Sequence, residues 1–455
     1  MKPSTFLLFL FLLAFPLLAL AQDCGTFYAV DFEPSQTPGE LIYASHWRIW
    51  IPDGVPTLRG VIMHQHGCGD GSSKPGHTAV EDWHWQALAR KYDCALMAVS
   101  YAQTGPCEMW CNPMNGSAKC FLRALDNFAQ ETGHAELSVV PWAIWGHSGG
   151  GQWTSSMVQL YPGRIACAWA RSGHPNTVGM TLQWLPLPKE VCDVPYVLNL
   201  GVREKTEFKK IWDEGFPYVQ KLRAMGARAS IVMDPETGHC CGNQRYTAIA
   251  FFDACLAQRL PEKAGTADLR PMKTGVVLSA DEIWKEFQAS EKIREITQDP
   301  ENPESPLFVG EKIRACIGDG FWFPTEEFVE TVRVYQRTGM IEDRTPPPAP
   351  FDVKTVWKDG PDGADGTKTA EVTWKAWADP ESGLAEFIIE RDGQEAARFR
   401  GPHGSVGRPL FQGLLYSDTP GVPTPELKFT ENVPAGETLP VYRVRSVNAC
   451  GGVSE

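Results

Sequence analysis

Gly146-His147-Ser148-Gly149-Gly150-Gly151 decides the reading of this chain. It follows a short apolar run, Trp142-Ala143-Ile144-Trp145, and precedes a helix-compatible stretch from Gln152 to Tyr161. Strand, Gly-x-Ser-x-Gly and helix in that order make a turn so tight that the serine backbone is strained. The flanking residues must be small, because a side chain there strikes the neighbouring strand or helix. The serine oxygen is pushed out above the sheet, where a carbonyl can reach it. The competing reading is a glycine-rich loop that only turns the chain.

Working outward, strand-like and helix-like segments alternate. Gly60 to Gln65 is a β-rich run ending in His66-Gly67-Cys68-Gly69. A helical pattern over His77 to Lys91, a strand over Ala95 to Tyr101 and a helix over about Lys119 to Glu131 follow. Beyond the serine turn come strands at Ile165 to Arg171, Tyr196 to Val202 and Ala229 to Met233. Helices are expected over Glu207 to Met225 and Arg245 to Arg259. This alternation predicts an α/β protein with a mostly parallel sheet covered on both faces. Sites in such sheets sit past the carboxyl ends of the strands. Ser148, the His66 loop, Glu204 and His239 all fall there.

A serine hydroxyl at neutral pH needs a base within hydrogen-bond reach, and the base needs an orienting acid. With this turn the chain order is serine, acid, histidine. Thr237-Gly238-His239 lies between the last strand and the Arg245 helix, which makes His239 the expected base. Glu204 follows the strand before it and is the expected acid, with Glu207 and Asp234 as rivals. Donors for a developing oxyanion are expected from the backbone N–H groups of Gly149 and Cys68, with His66 ordering the loop. His64-x-His66 read as a metal pair lacks a third ligand at metallohydrolase spacing, so neither a metal nor a cofactor is expected. His147, Trp110 and Trp153 are candidates for lining a substrate cleft. Trp83, Trp85 and Trp184 are further aromatics near the site, although each singly reads better as a core residue.

Composition and the chain's start bound the setting. Met1-Lys2-Pro3, an apolar run from Phe6 to Leu20 and Ala19-Leu20-Ala21 before Gln22 read as a secretory leader. The run is shorter than the ~20 residues of a spanning helix, and Cys24 is misplaced for lipid attachment. A soluble secreted, periplasmic or extracellular protein is therefore expected, with no membrane contact once the leader is removed. Lys and Arg number 42 against 55 Asp and Glu, a net charge of −13, which disfavours nucleic acid as a partner. The 13 cysteines should mostly pair in an oxidising compartment, and the odd count leaves one over. Some of Cys107, Cys111 and Cys120 are expected to staple their loop, and Cys240-Cys241 to clamp the histidine loop through bridges.

The composition breaks at Thr345-Pro346-Pro347-Pro348-Ala349-Pro350, a stiff spacer. The expected parts are a leader (1–21), a catalytic domain (22–260), a helical extension packed on it (261–344), the linker (345–350) and a small all-β sandwich (351–455). The extension should hold helices over Ala280 to Ile296 and Thr325 to Arg337, with a polar stretch from Asp299 to Pro306 between them. In the last part Val372-Thr373-Trp374, Glu386 to Arg391 before the Asp392-Gly393 turn, and Val441 to Asn448 read as strands.

With the serine turn, the His-Gly loop and the late Gly-His on the page, the chain resembles the α/β-hydrolase superfamily over about Asp23 to Leu260. It looks most like the exported polyhydroxyalkanoate depolymerase and feruloyl or acetyl-xylan esterase group. The last hundred or so residues resemble a fibronectin type III domain. The resemblance implies a secreted serine esterase with Ser148 as nucleophile, Glu204 as acid and His239 as base. It implies a small or polymeric ester substrate, including one linked to polysaccharide. The chain departs from the pattern in its glutamate acid and in Cys68 and Cys240 beside the site. Two other readings remain open: a serine peptidase on the same fold, and an extracellular binding protein that kept the scaffold. The last domain is expected to be a spacer or carbohydrate-contacting module whose removal leaves small-ester turnover intact.

Overall fold

A computed structural model describes residues 24–70, 75–175, 187–204, 208–290, 320–358, 367–401, 410–421, 426–434 and 436–455. The expected leader, Trp184, Glu207 and the stretch 299–306 lie outside the described residues.

An eight-stranded sheet runs in the order β1-β2-β4-β3-β5-β6-β7-β8. Strands β3 (Gly60–Gln65), β4 (Cys94–Tyr101), β5 (Trp142–His147), β6 (Ile165–Arg171), β7 (Tyr196–Gly201) and β8 (Ala229–Asp234) are mutually parallel. Every residue of these strands is buried. That is the mark of a sheet with helices on both faces. The covering helices are α1 (Trp83–Lys91), α2 (Ser117–Thr132), α3 (Gly149–Leu160), α4 (Lys209–Ala224) and α5 (Arg245–Arg259). The order of strands and their crossovers make this the α/β-hydrolase fold.

The sheet is longer than expected by an N-terminal antiparallel pair, β1 (Gly25–Phe32) and β2 (Ser45–Pro52). β2 also pairs antiparallel with β4. The helical pattern expected over His77 to Lys91 divides at Asp82. A 3-10 turn over Gly76–Glu81 comes first. The Asp82 carboxylate then caps α1, accepting from the His84 and Trp85 N–H groups at 3.0 and 3.2 Å.

After α5 a short strand, β9 (Val276–Leu278), pairs with β10 (Phe321–Phe323). Helices α6 (Ala280–Ala289) and α7 (Glu326–Thr338) flank them; residues 291–296 of the expected longer helix lie outside the described part. α7 docks on the eight-stranded sheet through Tyr335, whose hydroxyl donates to Asp234 Oδ2 at 2.6 Å.

The C-terminal module holds two three-stranded antiparallel sheets. β11 (Phe351–Trp357), β12 (Lys368–Lys375) and β15 (Lys428–Val433) form one; β14 (Gln394–Arg400), β13 (Glu386–Arg391) and β16 (Tyr442–Val447) form the other. Asp392 and Gly393 turn β13 into β14 with φ of 50° and 83°, the two positive values of a tight hairpin turn. Trp374, Phe387, Ile389, Phe411 and Val444 fill the core between the sheets.

That core is not closed by the module alone. Trp83 and Ala87, on α1 of the α/β domain, belong to the same buried cluster. The Trp83 ring stacks on Phe411 at 5.4 Å and 9°. The Gln412 side chain accepts from the Trp83 N–H and donates to the Glu81 carbonyl, both at 2.7 Å. Arg90 lies 3.9 Å from the Trp377 ring centroid. The expectation of a stiff spacer is corrected here: despite the proline run, the module packs on the α/β domain and shares its core with it. Among the described residues no helix is long and apolar enough to cross a membrane.

Candidate active site

Ser148 stands at the turn between β5 and α3 with φ 55° and ψ −115°. A non-glycine residue there carries on the order of 1–3 kcal/mol of strain, tolerated only where surroundings impose it. The imposition is visible: the Ser148 N–H donates to the Arg171 carbonyl at 2.8 Å, and its own carbonyl accepts from Gln152 N–H at 2.9 Å. The glycines explain themselves by contact. A Cβ on Gly146 would lie 2.2 Å from the Gly150 carbonyl oxygen, and one on Gly150 2.3 Å from that of His66. A Cβ on Gly149 would lie 2.2 Å from Cys68 Sγ.

His239 Nε2 is 2.8 Å from Ser148 Oγ. On the other side of the ring, Nδ1 bonds Glu204 Oε1. The second oxygen of Glu204 accepts from Ser172 Oγ at 2.9 Å and from the Gly201 N–H at 3.3 Å. Glu204 is fully buried, so every bond its carboxylate makes is to protein or to whatever enters the site. Ser148, His239 and Glu204, chosen from three separate loops, are thus brought into one chain of hydrogen bonds. The rival acid Asp234 does something else: its Oδ1 accepts from the N–H groups of Glu236 and Thr237 at 3.0 and 3.1 Å. It caps the turn that carries the histidine.

The side expected to hold an oxyanion is built from the end of β3. The Gly67 N–H donates to Ser417 Oγ at 3.2 Å and the Gly69 N–H to Gln103 Oε1 at 3.3 Å. The Cys68 N–H between them has no acceptor among the described residues. Gly149 opens α3, so its N–H has no intrahelical partner either. A disulfide from Cys68 to Cys107 lies against Gly149, tying the loop after β3 to the loop after β4. This bridge crosses between loops, whereas a staple within the Cys107–Cys120 stretch was expected; Cys94, Cys111, Cys120, Cys167, Cys192, Cys240, Cys255 and Cys450 remain thiols, which corrects the expectation that most cysteines pair. His66 Nδ1 donates to the Gly67 carbonyl at 2.6 Å, and burial lowers its pKa to about 4. His64 stacks on Trp145 at 4.0 Å. Among the described residues no group of three or more His, Cys, Asp or Glu is placed to hold a metal.

The three cleft candidates are corrected. Trp110 and Trp153 are fully buried. The Trp110 indole donates to Gln103 Oε1 at 2.8 Å and stacks on Tyr101; that of Trp153 donates to Ser117 Oγ at 3.0 Å. They hold loops together beneath the surface. His147 is buried too. Its Nε2 donates to the His239 carbonyl at 2.7 Å, which leaves Nδ1 to accept from Ser417 Oγ at 2.9 Å. Burial, then the nearby His239 and Arg171, hold its pKa well below the usual histidine range. It is a neutral strut. Trp85 is likewise buried, and Trp83 belongs to the shared core.

Two residues that sequence reasoning missed complete the histidine side. Arg171 ends β6, fully buried. Its Nη2 donates to the carbonyls of Gly238 and Cys240, both at 2.6 Å, and to Thr237 Oγ1 at 3.0 Å. Burial opposes its charge, but the Glu204 and Asp234 carboxylates outweigh that and raise its pKa. Hydrogen bonds from Arg171 thus do what bridges from Cys240-Cys241 were expected to do; Cys240 carries a thiol. Ser172, at φ 54°, steadies Glu204. A charged residue closing an otherwise apolar strand, Ile165 to Arg171, was the one available signal.

The C-terminal module reaches the same place. Ser417 bridges His147 and Gly67, and the Cys241 N–H donates to the Tyr416 carbonyl at 3.3 Å. Asp418 and Asp82 share Arg245: Arg245 Nη2 lies 3.0 Å from Asp418 Oδ2 and 2.5 Å from Asp82 Oδ2, and all three side chains are buried.

No protein-family model and no curated protein matches the chain. Solved structures do resemble it. A poly(aspartic acid) hydrolase-1 from Sphingomonas sp. KT-1 is 17% identical over 46% of this chain and 93% of that one, with a TM-score of 0.34. A ferulic acid esterase is 11% identical over 51% and 97%, with a TM-score of 0.35. A hyperthermophilic esterase from the archaeon Pyrobaculum calidifontis is 14% identical over 47% and 74%, with a TM-score of 0.31. At this degree of likeness, what the chain does has to be read from its own residues.

Proposed function

We propose that this protein is a serine hydrolase that cleaves carboxylic esters through an acyl-enzyme, with Ser148 as nucleophile, His239 as base and Glu204 as acid. What supports the reading above all is the unbroken bond path from Ser148 Oγ to His239 Nε2 and from His239 Nδ1 to Glu204. His239 takes the proton of Ser148 as its oxygen attacks the acyl carbon. The carbonyl oxygen gains charge beside the Gly149 and Cys68 N–H groups, where each donor is worth on the order of 3 kcal/mol. The tetrahedral adduct collapses, and His239 passes its proton to the departing alcohol. Water, deprotonated by His239, then releases the acid and restores Ser148. The buried Glu204 balances the imidazolium in both halves.

We place this activity outside the cytoplasm; the leader-like start and the Cys68–Cys107 bridge favour that. The substrate is a small or polymeric ester, with polysaccharide-linked esters in range. The test is a rapid-mixing experiment with p-nitrophenyl acetate. A burst of one p-nitrophenol per chain followed by slower turnover is expected, and none from Ser148→Ala. Turnover of peptide anilides but not esters would favour the peptidase; inertness to both would favour the binding protein.

A further inference from the structure

Among the described residues, the aromatic side chains left most open to solvent are Phe208 (48%), Tyr416 (43%) and Phe351 (36%). Two of these three flank the proposed base. The Phe208 ring lies 4.1 Å from the His239 ring, tilted by 34°. The Tyr416 ring lies 6.3 Å from His239 and 5.4 Å from His147. Phe208 comes from the start of α4, its N–H donating to the Glu204 carbonyl at 2.7 Å. Tyr416 comes from the C-terminal module, some two hundred positions away in the chain.

We infer that Phe208 and Tyr416 form the leaving-group subsite, and that it takes an alcohol portion carrying a flat apolar ring. The inference rests on the ester-hydrolase reading above and deepens it. The argument is positional. His239 Nε2 must hand a proton to the leaving oxygen, so the first carbons of the alcohol lie beside the imidazole. The carbonyl oxygen is drawn the other way, toward Gly149 and Cys68. Rings beside the imidazole are therefore within reach of the alcohol's first carbons. Open aromatic faces are costly in water and favour a planar apolar ring by stacking or edge contact.

Tyr416 is held in place by its neighbours. Ser417 is bonded to His147 and Gly67, Asp418 is paired with the buried Arg245, and Thr78 Oγ1 donates to the Pro420 carbonyl at 2.7 Å. The ring is thus presented by a rigid segment, as a specificity-determining group must be.

The experiment fixes the acyl group and varies the alcohol in the full-length protein. 2-Naphthyl acetate is compared with an acetate of a fluorinated alkyl alcohol of similar acidity. Tyr416→Ala should lower the aryl-to-alkyl ratio of kcat/KM about tenfold, mainly through KM for the aryl ester. Tyr416→Phe should preserve the ratio. Phe208→Ala should lower it too, which keeps the test alive if the first variant folds poorly. An unchanged ratio in both alanine variants, with each still turning over both esters, overturns the subsite and leaves the esterase reading standing. Failure of the wild-type protein to hydrolyse either acetate or to react with a fluorophosphonate overturns both.

Discussion

The serine turn and the histidine side of the site are built in opposite ways. The turn is local. Gly146, Ser148, Gly149 and Gly150 lie within five positions, and they pack against their own helix, the ends of β3 and β6, and the sulfurs of the Cys68–Cys107 bridge. The histidine side is assembled from far apart. His239 leans on Glu204, the carbonyls around it on Arg171, its own carbonyl on His147, and His147 on Ser417 of the C-terminal module. The proposed nucleophile depends on close packing inside the α/β domain, whereas the proposed base also depends on the C-terminal module staying docked.

The largest consequence is for truncation. Removing residues 351–455 uncovers Trp83 and leaves the buried Arg245 with Asp82 alone. The truncated chain is expected to lose soluble expression and turnover of p-nitrophenyl acetate together. A soluble, fully active truncation would break the comparison. Asp418→Ala strips one of the two carboxylates from a buried guanidinium, and removing a partner from such a group costs about 3–5 kcal/mol. Urea unfolding should show that loss; a value below about 1 kcal/mol, typical of exposed pairs, would mean the module is only loosely attached.

On the local side, Gly149→Ala drives a methyl into Cys68 Sγ and Cys107 Sγ, 2.2 and 2.8 Å from the added carbon. It should cut kcat by on the order of 10²–10³ through the oxyanion donors, with a much smaller change in unfolding free energy. Equal damage to stability and kcat would argue against that separation.

Acid should weaken the fold. Burial lowers the pKa of His64, His84 and His174 to about 3 and of His66 to about 4, and His147 also lies well below its usual value. Below about pH 6.5 the unfolded chain takes up these protons and the folded chain does not. Stability should therefore fall as pH drops from there toward the folded values, each histidine costing up to about 1.4 kcal/mol per pH unit. Melting temperatures from pH 8 to pH 4 check this; a flat profile would contradict the burial of neutral imidazoles. The smallest effect is expected of Ser417→Ala, about 1 kcal/mol from one hydrogen-bonded hydroxyl, read in kcat more than in KM.

The same division explains what could be read from the sequence. The parallel sheet, the serine turn and the order Ser148, Glu204, His239 leave traces within short windows: apolar runs, obligatory glycines, a histidine before the last helix of the sheet. Asp392-Gly393 marked its hairpin for the same reason. The N-terminal strands β1 and β2 were overlooked because β1 is an edge strand with a mixed burial pattern. Trp110 and Trp153 suggested a cleft, because sequence shows an aromatic ring without showing which way it faces. Ser172, Tyr416, Ser417 and Asp418 were invisible as site residues, and Arg171 showed only as a charge closing an apolar strand. Their roles exist only after distant segments meet, and Ser417 stands 270 positions from the histidine it supports.

The central claim is that Ser148 is the nucleophile. Its most direct test is to treat the folded, full-length protein with a fluorophosphonate and map the adduct by peptide mass spectrometry. The account predicts one adduct per chain, on Ser148, abolished in His239→Ala. An adduct on another residue, or none on a protein that still hydrolyses esters, would contradict it.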